Sequence, residues 1–199
     1  YQKAVVAILD TGSTNHSDLN ANTIPGYDMI SYVDIANDGT GRDTNPSDPG
    51  DNIDPNAEPK DYSSWHGTHV AGTVGAVTNN NSGLAGVGYD RVQLMHVRVL
   101  GVGGGAYSHI SHATLWPTDN AANVINMSLG GSSSCDPNSA MQNAINYAVS
   151  NNVSVVVSAG NSNTDTAFFT PASCSNVINV AAVNRNGGKA SYSNYGALV

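Results

Sequence analysis

The segment "AVVAILDTGS", residues 4–13, carries an apolar run into an aspartate, a threonine and a glycine. An aspartate at the end of a buried strand can serve hydrolysis in two ways. It can be one of two carboxylates that share a proton and activate water, because neighbouring like charges cannot both ionise. It can instead be the acid that orients a histidine, which then acts as base toward a hydroxyl. The first route requires a second Asp-Thr/Ser-Gly segment or a symmetric dimer, and no second segment occurs.

The second route finds its partner in "SSWHGTHVAGTV", residues 63–74. His66 opens a helical pattern and is followed by Gly67, whose missing side chain is expected to leave the imidazole approachable. A general base needs one ring nitrogen held by a carboxylate and the other aimed at a nucleophile. Metal ligation by His66 and His69 lacks an H-E-x-x-H pattern and a third ligand at suitable spacing. In "VVVSAGNSN", Asn161 follows a buried run and Gly160. An amide there can donate to an oxygen that gains charge in a transition state, although taken alone it reads as a turn residue. "INMSLGG", residues 125–131, and "GVGGGA", residues 101–106, are glycine-rich strand ends. They are ordinary turns or two exposed edges between which an extended peptide adds as a strand.

These residues need a frame. Apolar runs of strand length recur at 4–9, 92–100, 123–129, 153–159 and 176–183. They are continuous and rich in Val and Ile, as in strands covered on both faces. Between them, residues 66–77 place Val70, Val74 and Val77 on one stripe. In the next helical pattern Asp136 and Pro137 read as N-cap and first helical residue, with Met141, Ala144, Ile145 and Ala148 as its apolar face. Pro117 suggests a tight turn before the 123–129 run. Strands alternating with helices predict an α/β fold, a three-layer, mostly parallel sheet with helices on both faces. Asp10, Gly101 to Ala106, Ser128 to Gly131 and Asn161 then share the rim at the strands' carboxyl ends.

At 199 residues the chain is expected to form one domain. Its net charge of −8, with seven Lys and Arg and no basic cluster, argues against nucleic acid. No run reaches the length of a membrane span. The sequence opens directly on a strand-like segment, as if upstream sequence were removed or not included. Cys135 and Cys174 lack a C-x-x-C or zinc spacing. A bridge, two core thiols or a reactive pair all remain open; a bridge would add roughly 4 kcal/mol and imply an oxidising compartment.

Taken together and in order, D-T-G near the start, H-G-T-H-V-A-G-T, R-V-L-G, N-M-S-L-G-G and S-A-G-N resemble the segments of the subtilisin-like serine proteases (subtilases), in their bacterial secreted branch. "SYSNYG", residues 191–196, is similar to the family's strand after the oxyanion asparagine. The resemblance runs from Ala4 to the end of the sequence and implies a subtilisin-like fold. It implies Asp10 as triad acid, His66 as general base and Asn161 as oxyanion donor. Gly103, Gly104 and Gly105, with Ser128, Leu129 and Gly130, would flank the substrate backbone. Ser158, Ala159 and Gly160 would wall the pocket for the residue before the scissile bond. Phe168 and Phe169 lie near that pocket's base, with core packing the preferred role. His69 is structural. The family's usual disulfide favours a Cys135–Cys174 bridge. A signal and a propeptide, both removed, are expected, with secretion and a polypeptide substrate.

The family's Gly-Thr-Ser nucleophile segment does not occur in the sequence. The chain is therefore expected to be an internal portion of a protease domain, incomplete at both ends and inactive alone, with the serine on a missing segment or a second chain. A non-catalytic peptide-binding relative is the alternative; an intracellular protease with reduced cysteines is a weaker one.

"DIANDGTGRDTNPSDPGDNID", residues 34–54, holds Asp34, Asp38, Asp43, Asp48, Asp51 and Asp54 among glycines and prolines. It lacks EF-hand spacing and is either a solvated, turn-rich loop or a set of calcium ligands. The resemblance favours structural calcium, with Asp38, Asp43, Asp48 and Asp51 as first ligands and "TNNNSG", residues 78–83, as a second candidate.

Overall fold

The computed structural model describes residues 2–52, 63–137 and 139–199. In chain order its elements are β1 (Ala4–Asp10), β2 (Thr23–Asp28), α1 (Val33–Ala36), α2 (His66–Gly75), β3 (Val92–Arg98) and α3 (Tyr107–Asp119). There follow β4 (Val124–Met127), β5 (Gly131–Ser132), α4 (Ala140–Ser150), β6 (Ser154–Ser158), β7 (Phe169–Thr170) and β8 (Ile178–Val180). Six strands form one sheet in the order β2-β3-β1-β4-β6-β8, every neighbouring pair parallel. β5 and β7 make a separate antiparallel pair.

The period of two along a strand divides β1 between two cores. Val6 and Ile8 join Ala71 and Leu94, with Val70 and Val74 of α2 packed against them. Ala7 and Leu9 join Ile110 of α3 and Met141 and Ile145 of α4 on the opposite face. Each fully buried aliphatic side chain contributes about 1.5–3 kcal/mol, so covering both faces makes the central strands the rigid part of the frame. The expected three-layer α/β architecture is the observed one. Among the described residues no helix is long and apolar enough to cross a membrane.

Several local expectations are corrected. α4 begins at Ala140, capped by Ser139, whose Oγ accepts from the Gln142 N–H at 3.2 Å, so Asp136 and Pro137 precede the helix. Its apolar face is the expected one, with Met141, Ala144, Ile145 and Ala148 buried. Pro117 makes no turn; it is buried inside α3. Residues 191–196 form a turn with an isolated bridge from Tyr195 to Asp165, not a strand. Phe168 is 61% exposed, while Phe169 packs on the core. Cys135 and Cys174 form a disulfide that ties the approach to α4 to the segment after β7.

Candidate active site

Asp10 ends β1 with its side chain fully buried. His66, the first residue of α2, places Nδ1 2.7 Å from Asp10 Oδ1 and 2.9 Å from Oδ2. The Thr11 N–H donates to the same Oδ1 at 2.8 Å. A carboxylate facing Nδ1 keeps the proton on that nitrogen and leaves Nε2 with a lone pair, the tautomer a base requires. The bond to Asp10 raises the His66 pKa; partial burial opposes it, and the charges of Asp10 and Asp51 add to the rise.

The start of α2 is seated by a small network. The Gly67 N–H donates to Thr11 Oγ1 at 3.0 Å, and that hydroxyl donates to Asp48 Oδ2 at 2.6 Å. Burial raises the Asp48 pKa against the hydrogen bonds from Thr11 and Gly50. A Cβ at Gly67 would stand 2.2 Å from the Gly12 carbonyl oxygen. Glycine is thus required so that the helix can descend onto the Asp10–Gly12 turn, a different reason from the open imidazole expected from sequence. On the outer side, Ser64 donates through N–H and Oγ to the two Asp51 oxygens at 2.6 and 2.5 Å, and Ser64 Oγ accepts from the His66 N–H at 3.2 Å.

Beneath the turn lies Arg98, fully buried and paired in register with Asp10. Its Nη1 donates to Asp28 at 2.6 Å and Asp38 at 3.2 Å, its Nη2 to the Ala36 carbonyl, and its Nε to the Thr11 carbonyl at 3.2 Å. Burial raises the Asp28 pKa, and the Ile30 N–H and Arg98 pull against it. The sequence reading missed Arg98, Thr11, Asp28 and Asn194; the Arg inside the R-V-L-G motif was the available signal for the first.

His66 and Thr11 line a cleft of about 620 Å³ together with Gly101, Gly103 to Gly105, Tyr107, and Ser128 to Gly131. Gly103 and Gly104 have φ of +76° and +104°, and a Cβ on either would meet nothing within 4 Å. They present bare backbone to the opening. A second hollow of about 370 Å³ is lined by Ser128 to Ser132 on one side and Ser158 to Ser162 with Phe169 on the other. The structure therefore places His66 in the first hollow and Asn161 in the second, with the Ser128–Gly131 strand end as their common wall. Gly105 stands against the Val99 carbonyl, where a Cβ would lie 2.3 Å away. His69 is exposed and lies away from Asp10, in a separate hollow beside His16 and Trp65.

The four aspartates expected as calcium ligands each have protein partners. Asp38 faces Arg98 and Thr40, Asp43 faces Thr40 and Asn45, Asp48 faces Thr11 and Gly50, and Asp51 faces Ser64. Asp38 and Asp43 share the Thr40 hydroxyl, while Asp48 and Asp51 have other partners, and among the described residues no three His, Cys, Asp or Glu converge as a metal site. Asp54 lies outside the described residues. The second candidate loop wraps Asp18, whose oxygens accept from Asn80 Nδ2 at 2.6 Å and the Leu84 N–H at 3.1 Å. Those bonds lower the Asp18 pKa.

A buried carboxylate bound to an imidazole at the rim of a parallel α/β sheet, beside bare-backbone strand ends, makes a candidate acid–base site. The Subtilase family model matches residues 2–199, and the chain belongs to that family. It is 52% identical to an extracellular protease of Xanthomonas campestris pv. campestris, over 96% of this chain and 35% of that protein. It is 44% identical to the extracellular basic protease of Dichelobacter nodosus, over 100% of this chain and 35% of that one. The chain thus spans about a third of the length of these two curated relatives. Among solved structures, a protease from Pseudoalteromonas arctica superposes with TM-score 0.92 at 51% identity, covering 100% of this chain and 61% of that one.

Proposed function

We propose that the polypeptide containing this chain is a secreted serine endopeptidase. The observation that carries the reading is the contact of His66 Nδ1 with both Asp10 oxygens at 2.7 and 2.9 Å. His66 Nε2 takes the proton of a serine hydroxyl and later passes it to the leaving amine, while Asp10 stabilises the imidazolium without itself being protonated. The serine stands outside these residues, in the segment that supplies the family's Gly-Thr-Ser, so this stretch alone is inactive. Asn161 donates its amide to the oxyanion; loss of the corresponding donor in subtilisin costs about 2.7–4 kcal/mol of barrier. Gly103 to Gly105 and Ser128 to Gly130 pair with an extended substrate as flanking strands. Ser158 to Gly160 wall the pocket for the side chain before the scissile bond. Secretion agrees with the disulfide and with the extracellular proteases among the relatives, and a propeptide would precede maturation.

The test is fluorophosphonate labelling of the protein expressed from its complete reading frame, with peptide hydrolysis measured alongside. Labelling on one serine is expected, and Asp10→Asn should lower kcat by about 10⁴. Peptide binding without labelling or hydrolysis would replace the enzyme with a peptide-binding relative.

A further inference from the structure

Asn194 lies under the loop that carries Asn161 and is fully buried. Its side-chain hydrogen bonds go to the backbone of that one loop. Oδ1 accepts from the N–H groups of Ser162 at 2.9 Å and Thr164 at 3.2 Å, and Nδ2 donates to the Ala159 carbonyl at 2.9 Å. Its own N–H donates to the Gly160 carbonyl at 2.9 Å. The loop is gripped on both sides of residue 161. Gly160 has φ +103°, and a Cβ there would stand 2.4 Å from Asn194 Nδ2, so a side chain at 160 would expel the clamp. Asn161 itself is exposed, and the course of this loop decides where its carboxamide points.

The clamp is anchored from below. Lys189 Nζ donates to Asn163 Oδ1 at 2.7 Å and to the Ser193 carbonyl at 3.1 Å. Ser193 Oγ donates to the Asn194 carbonyl and accepts from the Ala182 N–H, both at 2.9 Å. Thr166 Oγ1 is a second donor to the Ala159 carbonyl, at 3.0 Å.

We propose that Asn194 is a positioning residue for transition-state stabilisation, its buried carboxamide holding loop 159–164 so that the Asn161 amide meets the developing oxyanion. The proposal rests on the reading of Asn161 given above. A preorganised donor stabilises the transition state only from the right place, and a misplacement of about 1 Å can cost about 10² in rate. Asn194 touches neither substrate nor the reacting atoms.

The experiment is a double-mutant cycle on the protease expressed from its complete reading frame, with kcat and KM read on a peptide anilide. Asn161→Ala alone is expected to lower kcat by about 10²–10³. Asn194→Ala is expected to lower kcat about tenfold or more, with KM within about twofold. In the Asn161→Ala background the same substitution is expected to change kcat by less than about twofold, because the donor it positions is gone. Asn194→Ser, which cannot span from Ala159 to Thr164, provides the same comparison if Asn194→Ala does not accumulate. Equal losses in the two backgrounds would reduce Asn194 to a structural role and leave the oxyanion reading intact. An unchanged kcat on Asn161→Ala would remove both.

Discussion

His96 gives the sequence a pH-dependent stability that can be worked from the structure. It lies on β3 at 1% exposure, with Nε2 3.3 Å from Thr23 Oγ1. Its Nδ1 is buried without a hydrogen-bond partner among the described residues. Burial pushes its pKa down from 6.5 to about 4. The unfolded chain takes up the proton near pH 6.5 and the folded one only near 4, so the contribution is complete above pH 6.5 and lost as pH falls toward 4. The full loss is about 3 kcal/mol at roughly 1.4 kcal/mol per pH unit, and about 2 kcal/mol of it is reached by pH 5. The perturbation is His96→Gln, which keeps a polar group toward Thr23 and does not titrate. Urea unfolding of inhibitor-treated protein at pH 7.5 and pH 5.0 supplies the measurement. The drop in stability between the two conditions should be about 2 kcal/mol smaller in the variant. Contributions from titrating groups other than residue 96 are common to both proteins and cancel. Equal drops in the parent and the variant would refute the assignment of this loss to His96.

Other outcomes follow from the site. Activity needs neutral His66, so it falls as pH drops through the raised His66 pKa; Asp51→Asn removes one cause of that rise and moves the acid limb of kcat/KM to lower pH, an effect absent if Asp51 does not act on His66. Arg98→Met strands Asp28 and Asp38 without their guanidinium and should cost about 3–5 kcal/mol in denaturant unfolding; a loss below about 1 kcal/mol would mean the carboxylates are solvated. Gly67→Ala drives a Cβ toward the Gly12 carbonyl, 2.2 Å away before adjustment, and should displace His66 from Asp10. Its kcat should fall far more than its stability, by about 10² for a shift near 1 Å, and unchanged kcat would show that the turn yields freely.

How much could be read in advance depended on how far each residue's partners lie along the chain. β1, β3, β4 and β6 are doubly covered, so their Val and Ile runs mark them directly. β2 escaped notice because Pro25 and Gly26 interrupt it. It is an edge strand whose register shifts between Ile24 and Tyr27, and a Cβ at Gly26 would strike the His96 carbonyl at 1.9 Å. α3 hid behind polar residues on its buried face. Ser111 and Thr114 are buried yet satisfied, each hydroxyl donating to the carbonyl four residues back at 2.7 and 2.9 Å.

The same distinction separates the two halves of the candidate site. The contact of Asp10 with His66 was legible because a strand-end aspartate and a helix-opening histidine suit each other as acid and base. The acidic tract was illegible because Asp38 and Asp48 are claimed by distant sequence, while Asp43 serves its own turn. Asp28 and Asp38 turn to Arg98 across 70 and 60 residues, and Asp48 turns to Thr11 across 37. Composition registers a surplus of oxygen ligands there and carries no trace of the buried guanidinium and hydroxyl that claim them. Asn194 extends the point. Nothing in "SYSNYG" distinguishes a turn asparagine from a clamp; the distinction is made by the four backbone groups it engages at residues 159 to 164, some thirty positions upstream.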